Sequence, residues 1–420
     1  MFILSLLYLA LTIIRPQDFV PGLEGVPLLP VVLILAFLSW VVSSPKHIDA
    51  PQFLILPVFL LVTMLSQVTN GWTGGALDQL LLFGPTVIAF FVLAASCNSQ
   101  RRVVIAMTVF VMCAVVLALH SVEQASTGIG WTGMTIGESD RVRYVGIFND
   151  PNDLGLLFAA TFPFAFYLSA RAGFLLRIVW LAAAALLLYG IYLTNSRGAL
   201  LATLVVAGVY VWRRRGPVTA AVLGVAGLAV MRLLSSRMDE LSVDESSALG
   251  RVDAWYAGLH MFFSDPFFGV GAGNFTEYND LTAHNSWILV LAETGFLGYV
   301  LWLAFVGYTF WMMITVLRYH PQPPLDEEQA VLGREEKAVA MTLLLSMCGL
   351  FASAFFLSRS YTVVMYLLLA VVVGYYTSAR QRFPDLPAFR LAKTGLRWIP
   401  IALGSIFVLY VMVTVMLLTA

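Results

Sequence analysis

Charged residues are scarce in this sequence of 420 residues. Asp, Glu, Lys and Arg make up 11% of it, whereas hydrophobic residues make up 60%. A soluble globular domain has about 25% charged and about 45–50% apolar residues. The apolar residues occur in repeated runs of roughly 16–23, the length that crosses a bilayer as a helix. The composition excludes a soluble protein and predicts an all-α polytopic membrane protein.

Cysteine and histidine are also few. The three cysteines, Cys97, Cys113 and Cys348, lie in or beside predicted membrane helices, so no disulfide framework is indicated. The five histidines show no ligand spacing, and no cysteine cluster accompanies them. This pattern argues against a metal site.

The apolar runs define thirteen candidate membrane spans, of which twelve are the safer number because the first is short. They cover residues 2–14, 27–43, 53–68, 79–96, 103–121, 153–169, 174–193, 198–212, 217–234, 295–317, 336–357, 361–378 and 397–419. We therefore expect one integrated membrane domain in three parts. Transmembrane helices fill 1–234 and 295–420, and a loop domain fills 235–294 between them.

Basic residues are unevenly distributed between the predicted loops. If the N-terminus is inside, the inside loops contain most of the 24 Lys and Arg residues, including the clusters Arg101–Arg102 and Arg213–Arg215. An excess of Lys and Arg in short loops marks the cytoplasmic side of a membrane. The two long outside loops, 122–152 and 235–294, are therefore predicted to lie outside the cytoplasm.

The segment 251–298 combines an Arg, a Gly-rich stretch, a His and a Glu between two hydrophobic runs. Its first part predicts an amphipathic helix, in which Arg251 and Trp255 are four residues apart and share a face. The stretch 269–273 predicts a tight turn. It lacks the preceding strand and following helix that a nucleotide-binding glycine motif needs.

The apolar stretch 286–317 is too long for one straight span. As a single helix it would be roughly 48 Å long, whereas the hydrocarbon core of a bilayer is about 30 Å thick. Gly295 and Gly298 are the candidate positions for a break. A short outer helix over residues 285–294 is therefore predicted to lead into the next span.

Few ionisable residues lie near the predicted outer membrane boundary, where such residues are often functional. Arg197 either marks the interface or binds an anion at the mouth of the bundle. Arg251 either pairs with a carboxylate in solvent or belongs to a site. His284 is either an interfacial side chain or a general base that titrates near neutral pH. Glu293 is either an interfacial carboxylate or a partner that fixes a basic residue.

Arg143 precedes a further polar stretch, FNDPNDLG, at 148–155. Its DPND portion predicts a helix start, with Pro in the first turn and acids at the positive end of the helix. This accounts for the acids structurally. Asn149 and Asn152 remain available to face a polar cavity.

Four stretches in this order resemble the O-antigen ligase and O-antigen polymerase family of bacterial membrane glycosyltransferases. They are the RxxGxFNDPNDLG-like stretch at 143–155, NSRG at 195–198, R-x-x-x-W at 251–255 followed by DPFFGVGAGNF, and HNSWILVLAETGFLG at 284–298. The resemblance covers roughly residues 140–310. The ordered set carries it, since no single motif is specific.

The resemblance implies a GT-C-like bundle of about twelve spans with a periplasmic helical loop domain, in the bacterial inner (cytoplasmic) membrane. It implies that a glycan moves from an undecaprenyl-diphosphate carrier to a glycan or lipid A core acceptor at the periplasmic face. We expect no metal and no other cofactor, and neither a nucleotide sugar nor a nucleic acid as a partner. Arg197 and Arg251 match the positions that hold the diphosphate, and His284 matches the position of the catalytic base.

Five more residues are predicted to contact substrate: Arg143, Asn149, Asn152, Trp255 and Glu293. We expect direct attack with inversion at the anomeric carbon, because no carboxylate pair suggests a covalent intermediate.

A polymerase of lipid-linked repeat units is the main alternative, since it uses the same donor. A transporter of lipid-linked sugars fits less well, because it would need midplane ionisable residues, broken helices or inverted repeats. A structural or sensory protein would not need Arg197, Arg251 and His284 at one boundary.

Overall fold

The structure is a computed structural model that describes residues 1–420 except 45, 47, 237–243, 321–326 and 420. Within these residues the chain is helical, and the only β-type pairing is an isolated bridge between Ile129 and Thr135. The predicted loop domain, 235–294, includes residues 237–243, which lie outside the described part. The predicted division into three parts therefore stays a prediction.

Sixteen α-helices follow one another in the described chain. They are α1 (Phe2–Ile14), α2 (Leu28–Val41), α3 (Gln52–Thr69), α4 (Thr73–Ser96), α5 (Gln100–Thr127), α6 (Pro151–Arg171), α7 (Phe174–Leu193), α8 (Arg197–Arg215), α9 (Pro217–Ser236), α10 (Asp244–Ser264), α11 (Phe275–Tyr278), α12 (Ser286–Arg318), α13 (Glu327–Ala354), α14 (Val363–Arg382), α15 (Leu391–Thr394) and α16 (Trp398–Thr419).

Each of the thirteen predicted spans coincides with a helix. Nine helical segments of the described chain are long and apolar enough to cross a membrane, and the remaining predicted spans are the helices α1, α2, α8 and α9. The prediction of an all-α polytopic membrane protein is confirmed.

The helices differ in how far they are buried. Helices α6 and α14 are buried along most of their length, whereas most residues of α7 and α16 are exposed. An exposed apolar helix is compatible with lipid, which is as apolar as the side chains that it contacts. Because α6 is central, the polar residues at its start have a fixed position relative to the bundle.

The predicted break in the long apolar stretch is confirmed, and it lies at Gly295. This residue has φ 61° and ψ −161°, so α12 consists of an outer part and a longer inner part joined by a kink. Gly298 lies within the inner part. The helix starts after Asn285, whose side chain accepts hydrogen bonds from the N–H groups of Trp287 and Ile288 at 2.9 and 3.2 Å.

A neighbouring segment supplies the backbone partners that the kink removes. We call residues 266–274 the glycine loop. Its N–H groups at Val270 and Gly271 donate to the carbonyls of Ala292 and Glu293, at 2.9 and 3.1 Å. Its carbonyls at Pro266 and Phe267 accept from the N–H groups of Phe296 and Leu297, at 2.7 and 3.3 Å. Backbone groups on both sides of the kink are thus satisfied, as burial requires.

The glycine loop also docks on helices α3 and α4. Asn70 donates to the Gly269 carbonyl at 2.8 Å, and Gln79 donates to the Ala272 carbonyl at 2.8 Å. The Ala272 N–H donates to the hydroxyl of Ser66 at 3.0 Å. The predicted turn is confirmed, and its position is fixed from two sides.

Candidate functional site

Three helices begin at one end of the bundle, which we call the site face. The side chains of Asp150, Ser196 and Asn285 cap α6, α8 and α12 respectively. The first N–H groups of a helix and its dipole give this end a partial positive charge that favours anions. The predicted starts of α6 and α12 are therefore confirmed, and both lie where an anionic group would be stabilised.

The starts of α6 and α8 are joined through Asn152. Its side-chain oxygen accepts a hydrogen bond from the Ser196 hydroxyl at 2.8 Å and another from the Arg141 guanidinium at 2.8 Å. The two helices approach closely because Gly155 has no side chain: a Cβ there would lie 2.7 Å from the Cβ of Ala199. Arg197, the first residue of α8, is exposed beside this junction.

The starts of α6 and α12 are joined through Arg359, in the loop between α13 and α14. Its guanidinium pairs with both carboxylate oxygens of Asp153, one of them at 2.7 Å, and lies 3.3 Å from Asp150. Its backbone N–H donates to the Ser286 hydroxyl at 3.0 Å. A two-pronged pair of Arg with a carboxylate is geometrically specific. Arg359 therefore fixes the distance between the two helix starts.

His284 is the residue that immediately precedes the capped start of α12. It is half-buried and has φ 45°, a left-handed conformation that is uncommon for residues other than Gly. Burial, followed by the charge of Arg251 and that of Arg359, lowers the pKa of His284, while Asp150 opposes this effect. The neutral imidazole is therefore favoured near neutral pH.

Arg251 is half-buried in α10, and its charge influences the pKa of His284, so the two side chains lie within electrostatic range. Helix α10 is amphipathic as predicted, with Trp255, Leu259 and Phe262 buried. The Trp255 ring packs edge-on against Phe355 at a centroid distance of 5.8 Å. This contact holds α10, and with it Arg251, against the end of α13.

Glu293 lies in the interior below this surface. Its side chain is only 2% exposed, and one carboxylate oxygen accepts a hydrogen bond from the Phe275 N–H at 3.3 Å. Glu293 therefore binds the segment that follows the glycine loop. A substrate contact of Glu293 stays a prediction, and so does that of the buried Trp255.

Arg143 and Asn149 lie at the edge of the site face. The guanidinium of Arg143 donates to the carbonyl and the hydroxyl of Thr135 at 3.0 and 3.2 Å, and the backbone N–H of Arg143 donates to the side-chain oxygen of Gln124 at 2.8 Å. These bonds fold the loop after α5 over the bundle. Asn149 is exposed, two residues before the first residue of α6.

Residues 182–303 match the family model described as O-antigen ligase. The resemblance to the O-antigen ligase/polymerase family is confirmed. The family match includes Arg197, Arg251 and His284, together with Trp255 and Glu293, whereas Arg143, Asn149 and Asn152 precede it. No curated protein matches the chain.

Two residues of the site were not singled out from the sequence. Arg359 is a lone cation in a short loop, and Arg141 is one of two nearby arginines in the loop before α6. The available signal for Arg359 was that it is a cation at the outer end of a span, the argument already applied to Arg197. Its carboxylate partners lie more than two hundred positions away in the chain, so the ion pair could not be predicted from the sequence.

Proposed function

We propose that the protein is a membrane glycosyltransferase that moves a glycan from an undecaprenyl-diphosphate carrier to a hydroxyl acceptor. The observation that carries the proposal is His284, which has a lowered pKa and lies within electrostatic range of Arg251, inside the segment that matches O-antigen ligase. The charge distribution of the loops supports a site face on the periplasmic side of a bacterial inner membrane.

The donor diphosphate would bind at the site face through Arg197 and Arg251. Arginine offers two parallel N–H donors to phosphate oxygens, and each such bond is strengthened by charge. The capped starts of α6, α8 and α12 add a field of the same sign. Because negative charge grows on the diphosphate as it departs, these groups stabilise the transition state more than the ground state.

In the chemical step, the acceptor hydroxyl attacks the anomeric carbon while neutral His284 takes the hydroxyl proton. The bond from the anomeric carbon to the diphosphate oxygen breaks, and the electron pair leaves with the diphosphate. Attack from the side opposite the leaving group inverts the anomeric centre. Asn152, Asp150, Asp153 and Arg359 act by positioning the helix starts.

An O-antigen ligase and a polymerase of lipid-linked repeat units share this donor chemistry and differ in the acceptor. The test supplies the purified protein, in lipid nanodiscs, with undecaprenyl-diphosphate-linked glycan and either lipid A core or a second lipid-linked glycan. We expect release of undecaprenyl diphosphate together with glycan on lipid A core. A longer lipid-linked glycan would instead establish a polymerase. If a folded protein releases no undecaprenyl diphosphate with any acceptor, the proposal is wrong.

The pH dependence of transfer should report the charges around His284. A base must be neutral, so transfer falls as the pH drops through the pKa of His284, which lies below its usual value of about 6.5. We call the fall of the rate at low pH the acidic limb of the pH–rate profile. Arg251→Gln removes a cation that lowers the pKa of His284, so the acidic limb should move to higher pH. Asp150→Asn removes a carboxylate that raises it, so the limb should move to lower pH.

The measurement is the rate of glycan transfer against pH, with each variant scaled to its own plateau. Asn caps helices about as well as Asp, so Asp150→Asn keeps the start of α6. We expect the acidic limbs of the two variants to move in opposite directions relative to that of the unaltered protein. Displacements in the same direction, or none, would mean that another group controls the acidic limb.

A further inference from the structure

A polar cavity lies at the end of the bundle opposite the site face. It has a volume of about 320 Å³ and opens between the start of α1, the end of α2, the end of α4 and the start of α5. The residues that line it are Met1, Phe2, Ser39, Trp40, Ser43, Ser44, Lys46, Ala95, Asn98 and Arg102. The site described above uses none of them.

The charge that lines this cavity has one sign. Lys46 and Arg102 are both lining residues, and no carboxylate is present among the described residues of the lining. The Arg102 guanidinium is held in place because it donates to Asn98 and to the Ser96 carbonyl, at 2.9 and 3.2 Å. The Lys46 ammonium lies 4.9 Å from the centre of the Trp40 ring. The Ser43 hydroxyl donates to the Trp40 carbonyl at 2.7 Å, while Ser39 and Ser44 add two further hydroxyls to the lining. Two positioned cations and these two hydroxyls match the needs of a phosphate group.

The surface beside the cavity is apolar and exposed. Ile3 on α1 is 79% exposed, Leu38 on α2 is 54% exposed, and Val42, which follows α2, is 83% exposed. In a protein that crosses the membrane, such side chains contact lipid tails. The cavity therefore combines a phosphate-binding lining with adjacent surfaces for acyl chains. Trp40 is itself one of the lining residues, and Trp is common at a membrane interface.

We propose that this cavity binds the phosphate of a phospholipid headgroup, with the acyl chains along the exposed faces of α1 and α2. The loop charges place this end of the bundle in the cytoplasmic leaflet, whose anionic lipids attract Lys and Arg. The bound lipid stabilises the packing of α1. That helix reaches the site face, where the Ile14 carbonyl accepts a hydrogen bond from Tyr144 at 2.8 Å. The proposal is independent of the transferase activity.

The test uses the full chain in detergent and measures binding of added phosphatidylglycerol by native mass spectrometry. Lys46→Gln combined with Arg102→Gln should weaken binding about tenfold, because charged hydrogen bonds are lost. The matched control is Arg101→Gln, which removes an exposed cation next to Arg102 but outside the cavity. Its binding should equal that of the unaltered protein.

Lys46→Gln alone provides a second variant that leaves the hydrogen bonds of Arg102 intact, and it should weaken binding by a smaller factor. Diacylglycerol, which lacks the phosphate, should not bind to the cavity. Inorganic phosphate should bind far more weakly than the lipid. Equal occupancy by inorganic phosphate would assign a site for a free anion and overturn the lipid proposal. If Arg101→Gln and the double variant lose lipid binding to the same extent, the cavity is not the binding site and the proposal is wrong.

Discussion

Replacement of His284 by Asn should reduce glycan transfer by about 10²–10⁴-fold, the usual contribution of a general base. Asn is the appropriate replacement because His284 has φ 45°, and Asn tolerates this left-handed conformation better than most residues. The backbone before α12 should then keep its path. The loss can be assigned to the missing base, and kcat should fall far more than donor affinity.

The matched control is His260→Asn. His260 is exposed on α10, and its ring contacts the carbonyl of Tyr256 at 3.2 Å. This variant should transfer glycan at nearly the normal rate. Initial rates at saturating donor are the measurement, after size-exclusion chromatography has shown that both variants are folded. If His284→Asn keeps its rate within about threefold of the unaltered protein, His284 is not the base.

Much of the local structure of the site was predictable because the signals are short-range. The Asp-Pro sequence at 150–151 predicts a capped helix start, and α6 begins there. The excess length of the apolar stretch 286–317 predicts a break, and Gly295 provides it. In each case the residue that fixes the conformation lies within a few positions of the feature, so the sequence alone carries the information.

The remainder of the site depends on contacts between distant parts of the chain. Asp150 and Asp153 were explained as acids at a helix N-terminus, and that explanation holds, but they also bind Arg359. The glycine loop was predicted as a turn, while its role as the backbone partner of the kink was not. The first feature arises when the loop between α13 and α14 meets the start of α6, and the second when the glycine loop meets α12. Spacing along the chain does not reveal which segments will meet.

The glycine loop and the kink stabilise each other through backbone hydrogen bonds. The kink removes helical hydrogen bonds near Gly295, and the glycine loop replaces them on both sides. The same loop is bound by Ser66 of α3 and Gln79 of α4. The path of the chain before α12, where His284 lies, is therefore set by the bundle as a whole, although His284 itself belongs to a loop.

Replacement of Gly295 by Ala should lower the free energy of unfolding by about 3 kcal/mol or more. Its backbone conformation, φ 61° and ψ −161°, is essentially restricted to Gly and costs another residue about 1–3 kcal/mol. A Cβ would also overlap the backbone of Phe267, with its carbonyl oxygen only 2.6 Å away. The glycine loop would have to move, and backbone hydrogen bonds worth about 1 kcal/mol each would be lost.

Thermal unfolding in nanodiscs is the measurement, with Gly404→Ala as the matched control. Gly404 lies in α16, and a Cβ there meets nothing within 4 Å, so this variant should be as stable as the unaltered protein or slightly more stable. A folded fraction of Gly295→Ala should also transfer glycan slowly, because the displaced loop no longer holds the outer part of α12 behind His284. An unfolding temperature equal to that of Gly404→Ala would show that α12 can straighten without cost, and that the glycine loop does not determine the geometry of the site.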